Sequence, residues 1–373
     1  MKMIHTFRIL FLSTVLGLAL FAGCKKDDPD EPEDSFDRGA MLSNYADNVI
    51  IPRYTAFRQD MEALETAANT FTAAPTVGGL SNLRADWESA YLSWQRCSMF
   101  EFGPAATVVL RSTCNTFPTD TSDINNNVAT GSWVLDAASN IDAVGLPALD
   151  YLLHGIGNSD VAIVAKYNSD ANAEGRKDYL LALIGQMKTK IDQVSNQWSA
   201  GYRGTFVSSS GTDIGSSLSL MVNDLNFDYE LIKNAKIGIP LGIQTLDIPR
   251  PEYTEAFYAG ISKDLALESL RANRDAYRGM SESGSNGTGI DDYLIFLGAQ
   301  HSNGTLHDSI MNQFASSDQA LSAVADPLSE SIVNAPSSVD NAHTKIQQHV
   351  VLYKTDLASA LGVLITYADG DGD

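Results

Sequence analysis

The chain has 373 residues, with 46 Asp and Glu against 25 Lys and Arg, and a formal net charge of −21. That length supports more than one ordinary core. So acidic a balance excludes nucleic acid as a partner, because gripping phosphates takes a basic face; the acids are spread along the chain, as on a solvated surface.

The first 24 residues read MKMIHTFRILFLSTVLGLALFAGC. Basic residues precede an apolar run from Ile9 to Ala22, which is too short to span a bilayer, so residues 1–23 read as a secretory signal. Removing it, with Lys2 and Arg8 and no acid, leaves the remainder two charges more negative. The segment LFAGC resembles the bacterial lipobox, with Phe21 where Leu is usual. It predicts lipidation of Cys24 and a membrane anchor through that residue; the alternative is plain secretion with a free Cys24. Acyl chains hold by about 0.8 kcal/mol per buried CH2. Residues 24–37 are charged, contain proline and carry almost no apolar side chain, so they predict a flexible tether. An acidic run behind the anchor cysteine also resembles the surface-export signal of some Bacteroidetes lipoproteins. The expected location is therefore the outer membrane, with surface exposure.

Helical periodicity dominates the rest of the chain. Leu42, Tyr45, Val49, Tyr54, Phe57, Met61 and Leu64 recur at threes, fours and fives, with an interruption at Pro52. After the linker APTVGG, the stripe Leu83, Trp87, Tyr91, Trp94 and Met99 marks a second helix. Such aromatic stripes are first of all core; Trp94 and Gln95 are the pair that would instead line a pocket, with Gln95 as a polar handle. The remaining cysteines, Cys97 and Cys114, either pair across the segment between two helical regions or stay as buried thiols. No CxxC or Cys/His cluster is present, so no tightly bound zinc is expected.

The stretch GLPALDYLLHG, 145–155, starts a helix. Pro147 suits the first turn, where a missing N–H costs nothing. Asp150 in that turn would meet the positive end of the helix dipole, worth roughly 0.3–1 kcal/mol. Leu146, Leu149 and Leu153 form a core stripe, and Asp150 and His154, four apart, would pair across one turn. The same spacing would place two metal donors on one face, too few for a tight site. A third long helix reads YLLALIGQMKTKIDQVSNQW. The Gly/Ser-rich segment 201–217 then marks a boundary, giving an N-terminal bundle over 38–205 and a C-terminal bundle over 206–373. Helical patterns resume at SLSLMVNDLNFDYELIKNAKIG and continue nearly to the end. His301 and His307, and likewise His343 and His349, stand six apart, poor spacing for one helix face, and default to the surface. The terminal ADGDGD sets Asp369, Asp371 and Asp373 among glycines like the start of a calcium loop, but stops before a distal bidentate Glu. It predicts a frayed acidic tail with weak calcium binding at most. The fold class is all-α, built as two helical bundles.

The segments NYADNVIIPRYTAF, WESAYLSWQ with FEFGPA, GLPALDYLLHG, KIGIPLG and LASALGVLITYADGDGD fall in an order that resembles the imelysin-like proteins, nearest to the lipoproteins of Bacteroidetes type. The resemblance runs from about Leu42 to the end of the chain. It implies two helical bundles related by a permuted duplication, with a site near their interface. It also implies a cell-envelope role linked to iron uptake, with an envelope or iron-transport protein as partner. Founding members were described as metallopeptidases. The family motif GxHxxE stands here as Gly145-x-Pro147-x-x-Asp150, so proline replaces the histidine and the acid is shortened. A second acid of the family, four residues after the tryptophan, is Ser98 here. The expected pocket thus comprises Gly145, Pro147, Asp150, His154, Trp94, Gln95 and Ser98, with no catalytic residue assigned. The expected function is a non-catalytic ligand- or partner-binding envelope lipoprotein, with iron or calcium as the candidate ions. The alternatives are a metal-dependent peptidase with an altered site and a purely structural or interaction lipoprotein.

Overall fold

The computed structural model describes residues 36–302 and 304–367. Cys24, most of the tether and the three tail aspartates lie outside that range. From Asp37 on, the described residues pack as one compact unit. Among them no helix is long and apolar enough to cross a membrane.

The first group of helices comprises α1 (Arg38–Asn44), α2 (Ile51–Ala73), α3 (Val77–Cys97), α4 (Pro104–Thr107), α5 (Leu110–Cys114), α6 (Thr121–Thr130), α7 (Gly145–Asp150), α8 (Asp160–Asn168), α9 (Ala173–Gln197) and α10 (Arg203–Ser208). The second comprises α11 (Ser217–Leu231), α12 (Ile239–Leu241), α13 (Ser262–Tyr277), α14 (Ile290–Phe296), α15 (Leu306–Ser322), α16 (Leu328–Asn334), α17 (Pro336–Val351) and α18 (Ala358–Leu361). A two-residue hairpin, β1 (Gln300–His301) with β2 (Gly304–Thr305), is the only strand pairing among the described residues. The molecule is all-α, as the periodicity predicts. The expected boundary at 205/206 falls inside α10, and the helix break itself spans 209–216.

Side-chain caps set several helix starts: Thr76 accepts from Gly79 N, Asp120 from Ser122 N and Asp123 N, and Ser216 from Ser219 N. Each satisfies an N–H that the first turn leaves without a helical partner. The core follows the predicted stripes. Tyr45, Val49, Tyr54, Phe57, Met61 and Leu64 are buried, as are Trp87, Tyr91 and Trp94. Helix α2 packs on α3 and α9, α15 packs on α17, and α13 packs on α3 to join the two groups.

Several helices are widened by π turns, at Tyr45–Ile50, Tyr151–Gly155, Trp198–Tyr202, Ile232–Gly238 and Leu352–Leu357. Two of these precede prolines, Pro52 and Pro240. A proline inside a helix lacks an N–H and crowds the carbonyl four residues back; a wide turn relieves the crowding. The Asn48 carbonyl, which residue 52 cannot reach, accepts instead from Glu282 N at 3.1 Å. That bond also ties the first group to the second. Beside it Arg53 donates to the Arg96 and Ala272 carbonyls, and Arg96 bonds Glu268 at 2.6 Å and Glu282 at 2.7 Å.

One expectation is corrected and one open alternative is resolved. His349 is fully buried rather than at the surface, stacked on Tyr229 with ring centroids 4.5 Å apart and 4.1 Å from Phe314. It continues the buried stripe Val339, Ala342, Ile346, Val350 on α17, which outweighs the polarity of one imidazole. The other histidines also find neighbours: His307 contacts Tyr277 Oη, and His301 contacts Ser309 Oγ. Of the two readings of Cys97 and Cys114, the structure has free, buried thiols. Burial pushes both thiols up, away from the reactive thiolate form.

Candidate functional site

A cavity of about 420 Å³ lies between the two groups of helices. Helix α3 ends beside it and supplies Trp94 and Gln95, followed by Ser98. Helix α5 and the segment after it supply Arg111, Asn115 and Phe117. Across the cavity stand Phe227 and Asp228 of α11, and Lys236 from the π turn that follows. Leu225, Asp228, Ile232 and Lys236 recur at threes and fours, so the face that buries Leu225 and Ile232 carries Asp228 and Lys236 to the interface.

Gln95, Asn115, Lys236 and Glu255 form a closed buried network. Lys236 Nζ is ion-paired with Glu255 Oε2 and donates to Gln95 Oε1 at 2.8 Å. Gln95 Nε2 donates to Glu255 Oε1 at 3.0 Å, and Asn115 Nδ2 donates to the same oxygen at 2.8 Å. Tyr91 Oη donates to Asn115 Oδ1 at 2.6 Å. Two charges removed from water are tolerated because each also meets neutral amides.

A second network runs alongside. Ser98 Oγ donates to Asp228 Oδ1 at 2.8 Å, while Arg111 Nη2 donates to the Ser98 carbonyl at 2.8 Å and to Asp224 Oδ1 at 3.1 Å. The Arg111 guanidinium lies 4.9 Å from the Phe227 ring centre, within cation–π range. Burial pushes Asp228 up, against the opposing pull of Arg111 and of the Ser98 bond. Asp224 is pushed up to about 6 by the same cause.

The signature stretch takes a different part. Gly145 opens α7 with φ of +80°, and a Cβ there would stand 2.5 Å from the Cys114 carbonyl oxygen, so glycine is required. Asp150 is the last residue of α7, not a first-turn residue, so the expected dipole contact is not made. Its two oxygens instead accept from Tyr258 N at 2.8 Å and Ala259 N at 2.9 Å. Burial pushes its carboxyl up to about 7, although the two N–H donors pull the other way. The expected Asp150–His154 pair is not formed either. Both Asp150 oxygens are already committed to the backbone N–H groups of Tyr258 and Ala259. His154 lies against Trp87, ring centroids 5.2 Å apart, and burial pushes it down to about 4.

The expected seven-residue pocket therefore divides. Trp94, Gln95 and Ser98 line the large cavity. Pro147 and Asp150 line a separate one of about 30 Å³, and Phe117 is common to both. Gly145 and His154 line neither. The charged members of the large cavity, Glu101, Arg111, Asp228 and Lys236, and Glu255, which pairs with Lys236 behind it, are not among the site residues the sequence singles out. For Asp228 and Lys236 the available signal was a charge at a position where the apolar stripe predicts Leu or Ile.

A metal does not fit the signature stretch. Pro147 has no donor, Asp150 has given both oxygens to backbone N–H groups, and Ser98, in the place of the second acid, is bonded to Asp228. Among the described residues no three His, Cys, Asp or Glu side chains stand where they would hold an ion.

These features define an all-α protein in which two groups of helices close on an apolar cavity with a charged floor. Residues 50–353 match the imelysin family, and the chain belongs to it. It is 23% identical over 312 residues to iron-regulated protein A of Synechococcus elongatus, covering 80% of this chain and 79% of that protein. The crystal structure of a putative iron-regulated protein A precursor from Parabacteroides distasonis superposes with a TM-score of 0.72 at 17% identity, covering 87% of this chain and 94% of the other. An imelysin-like protein from Psychrobacter arcticum gives 0.66 at 18% identity, covering 89% and 97%. At such identities the structural matches establish the fold alone.

Proposed function

We propose that this chain is an envelope lipoprotein, anchored through Cys24 at the outer membrane and exposed at its surface. In this reading it binds a ligand or partner in iron acquisition and is not a peptidase. The observation that carries the reading is the commitment of the signature residues: the acid that would ligate a metal is spent on holding the 258–259 backbone, and the histidine is a proline. The cavity beside them is of ligand size, near the lower end of the roughly 300–1,000 Å³ typical of small-molecule sites. The relation to iron rests on the relatives called iron-regulated protein A. With no cluster of three metal-donor side chains among the described residues, the chain would take iron as a complex with an organic ligand rather than as a bare ion.

Thermal shift of the purified protein against ferric citrate, haem and calcium tests this. An iron species should raise Tm in the wild type and not in Ala235→Trp, which fills the cavity. No shift with any of them would overturn ligand binding in favour of a purely structural lipoprotein. Labelling of intact cells with an impermeant reagent tests the location, and protection of the protein would contradict surface display.

A further inference from the structure

The cavity has two unlike walls. Phe227, Leu231 and Ala235, four apart along α11 and the turn that follows, make one wall apolar. The other comes from residues 101–116, where Glu101, Arg111, Ser112, Asn115 and Thr116 line the cavity and are half-buried rather than enclosed. Their hydrogen bonds show what each has left to offer. Ser112 Oγ donates to the Val109 carbonyl at 3.2 Å and Thr116 Oγ1 to the Ser112 carbonyl at 2.9 Å, so both hydroxyls keep lone pairs. Asn115 Nδ2 donates to Glu255 and its Oδ1 accepts from Tyr91, which leaves one N–H and one lone pair. Nη2 of Arg111 is used twice and Nε is enclosed, but Nη1 has no partner among the described residues. The charges, by contrast, are matched. Lys236 is paired with Glu255 and Arg111 with Asp224, Glu101 accepts from Arg111 N, and Asp228 is enclosed and held by Ser98. Two aromatic rings also have their cation: Arg111 lies 4.9 Å from the Phe227 centre and Lys236 5.9 Å from that of Phe117. At the rim Val109, 55% exposed, holds a φ of +49°. That region is strained for a β-branched residue, and such strain is concentrated at ligand sites.

We propose that the cavity binds an uncharged, multiply hydroxylated ring of the monosaccharide class. Such a ring has an apolar face of C–H groups and a rim of hydroxyls, each both donor and acceptor. The face lies on Phe227 and Leu231. The rim hydroxyls donate to Ser112 Oγ and Thr116 Oγ1, meet the spare N–H and lone pair of Asn115, and accept from Arg111 Nη1. A charged ligand would be desolvated with no unmatched group of opposite sign to meet it, and a purely apolar one would leave the polar wall unpaired. This rests on the ligand-binding role proposed for the same cavity, and it needs no iron.

Isothermal titration of the purified full-length protein with D-glucose, D-galactose and D-mannose tests it, beside the uronic acid and the 2-amino form of each and cyclohexanol. At least one of the three sugars should bind, tenfold or more tighter than its uronic acid, its 2-amino form and cyclohexanol. Ser112→Ala combined with Thr116→Val should weaken that sugar tenfold or more with the urea midpoint unchanged, Phe227→Ala should weaken it as well, and Ala235→Trp should abolish binding. Circular dichroism and urea midpoints identify any variant that fails to fold, in which case the probe ranking on the wild type decides. The proposal is overturned if none of the sugars binds, if a charged form or cyclohexanol binds as tightly as the sugar, or if the double variant folds and binds the sugar like the wild type. A sugar that binds while no iron species raises Tm would uphold this inference and sink the iron reading; a shift with an iron species and no binding of any sugar would sink this inference alone.

Discussion

Asp150 shows how a residue keeps its place in a motif and changes its work. Its carboxylate joins the end of α7 to the backbone at residues 258 and 259, across more than a hundred residues of sequence. Asp150→Ala would leave two half-buried N–H groups unpaired, at a cost of about 2–4 kcal/mol in urea unfolding; Asp150→Asn, whose amide can accept only one of them, should fall between. A change below about 1 kcal/mol for the alanine variant would refute the tethering role. His349 carries a pH dependence. Free histidine titrates near 6.5, and burial pushes His349 down to about 3. Between those values the unfolded chain binds a proton that the folded chain does not. Stability contributed by this residue is therefore full above 6.5 and is lost as pH falls toward 3, at about 1.4 kcal/mol per pH unit. His349→Phe should remove that slope and leave stability at pH 7 equal or higher, since neither ring nitrogen has a hydrogen-bond partner. An identical pH profile for wild type and variant would contradict this.

At the scale of elements, periodicity made the helices legible, because an apolar stripe at threes and fours is the direct imprint of a buried face. The π turns were not legible, since they depend on where a bond is skipped rather than on residue type. The helical stripe alone reads Trp94 as core; it was the family resemblance that brought Trp94, Gln95 and Ser98 to a pocket. Glu255 could not be placed there, because TEAF lies in a segment without period and its partners come from α3, α5 and the turn after α11. Pro52 offers a test of the wide turns. Replacing a proline inside a regular helix would return roughly 3 kcal/mol. Here the Asn48 carbonyl is already satisfied by Glu282, so Pro52→Ala should return far less, under about 1 kcal/mol by urea unfolding. A gain near the full value would show that the π turn is strained by the proline rather than adapted to it.

At the scale of the whole molecule, the two groups of helices are held together by buried polar contacts as well as by apolar packing. Gln95 of the first group bonds both Lys236 and Glu255 of the second, which are themselves a buried ion pair. Removing one charge strands the other, so Lys236→Met should cost about 3–5 kcal/mol, whereas Lys236→Met with Glu255→Met should cost less than the two single changes added together. Strict additivity in that cycle would mean that the pair does not act as a unit. The same arrangement bears on function. Asp224, Asp228 and Glu255 at the interface bond Arg111, Ser98 and Lys236, and among the described residues no three His, Cys, Asp or Glu side chains stand where they would hold an ion. Metal analysis of the purified protein is the most direct test. The account predicts zinc and iron far below one ion per chain, with no peptidase activity and no change on chelation. One tightly held ion per chain, removed by chelator together with proteolytic activity, would contradict it.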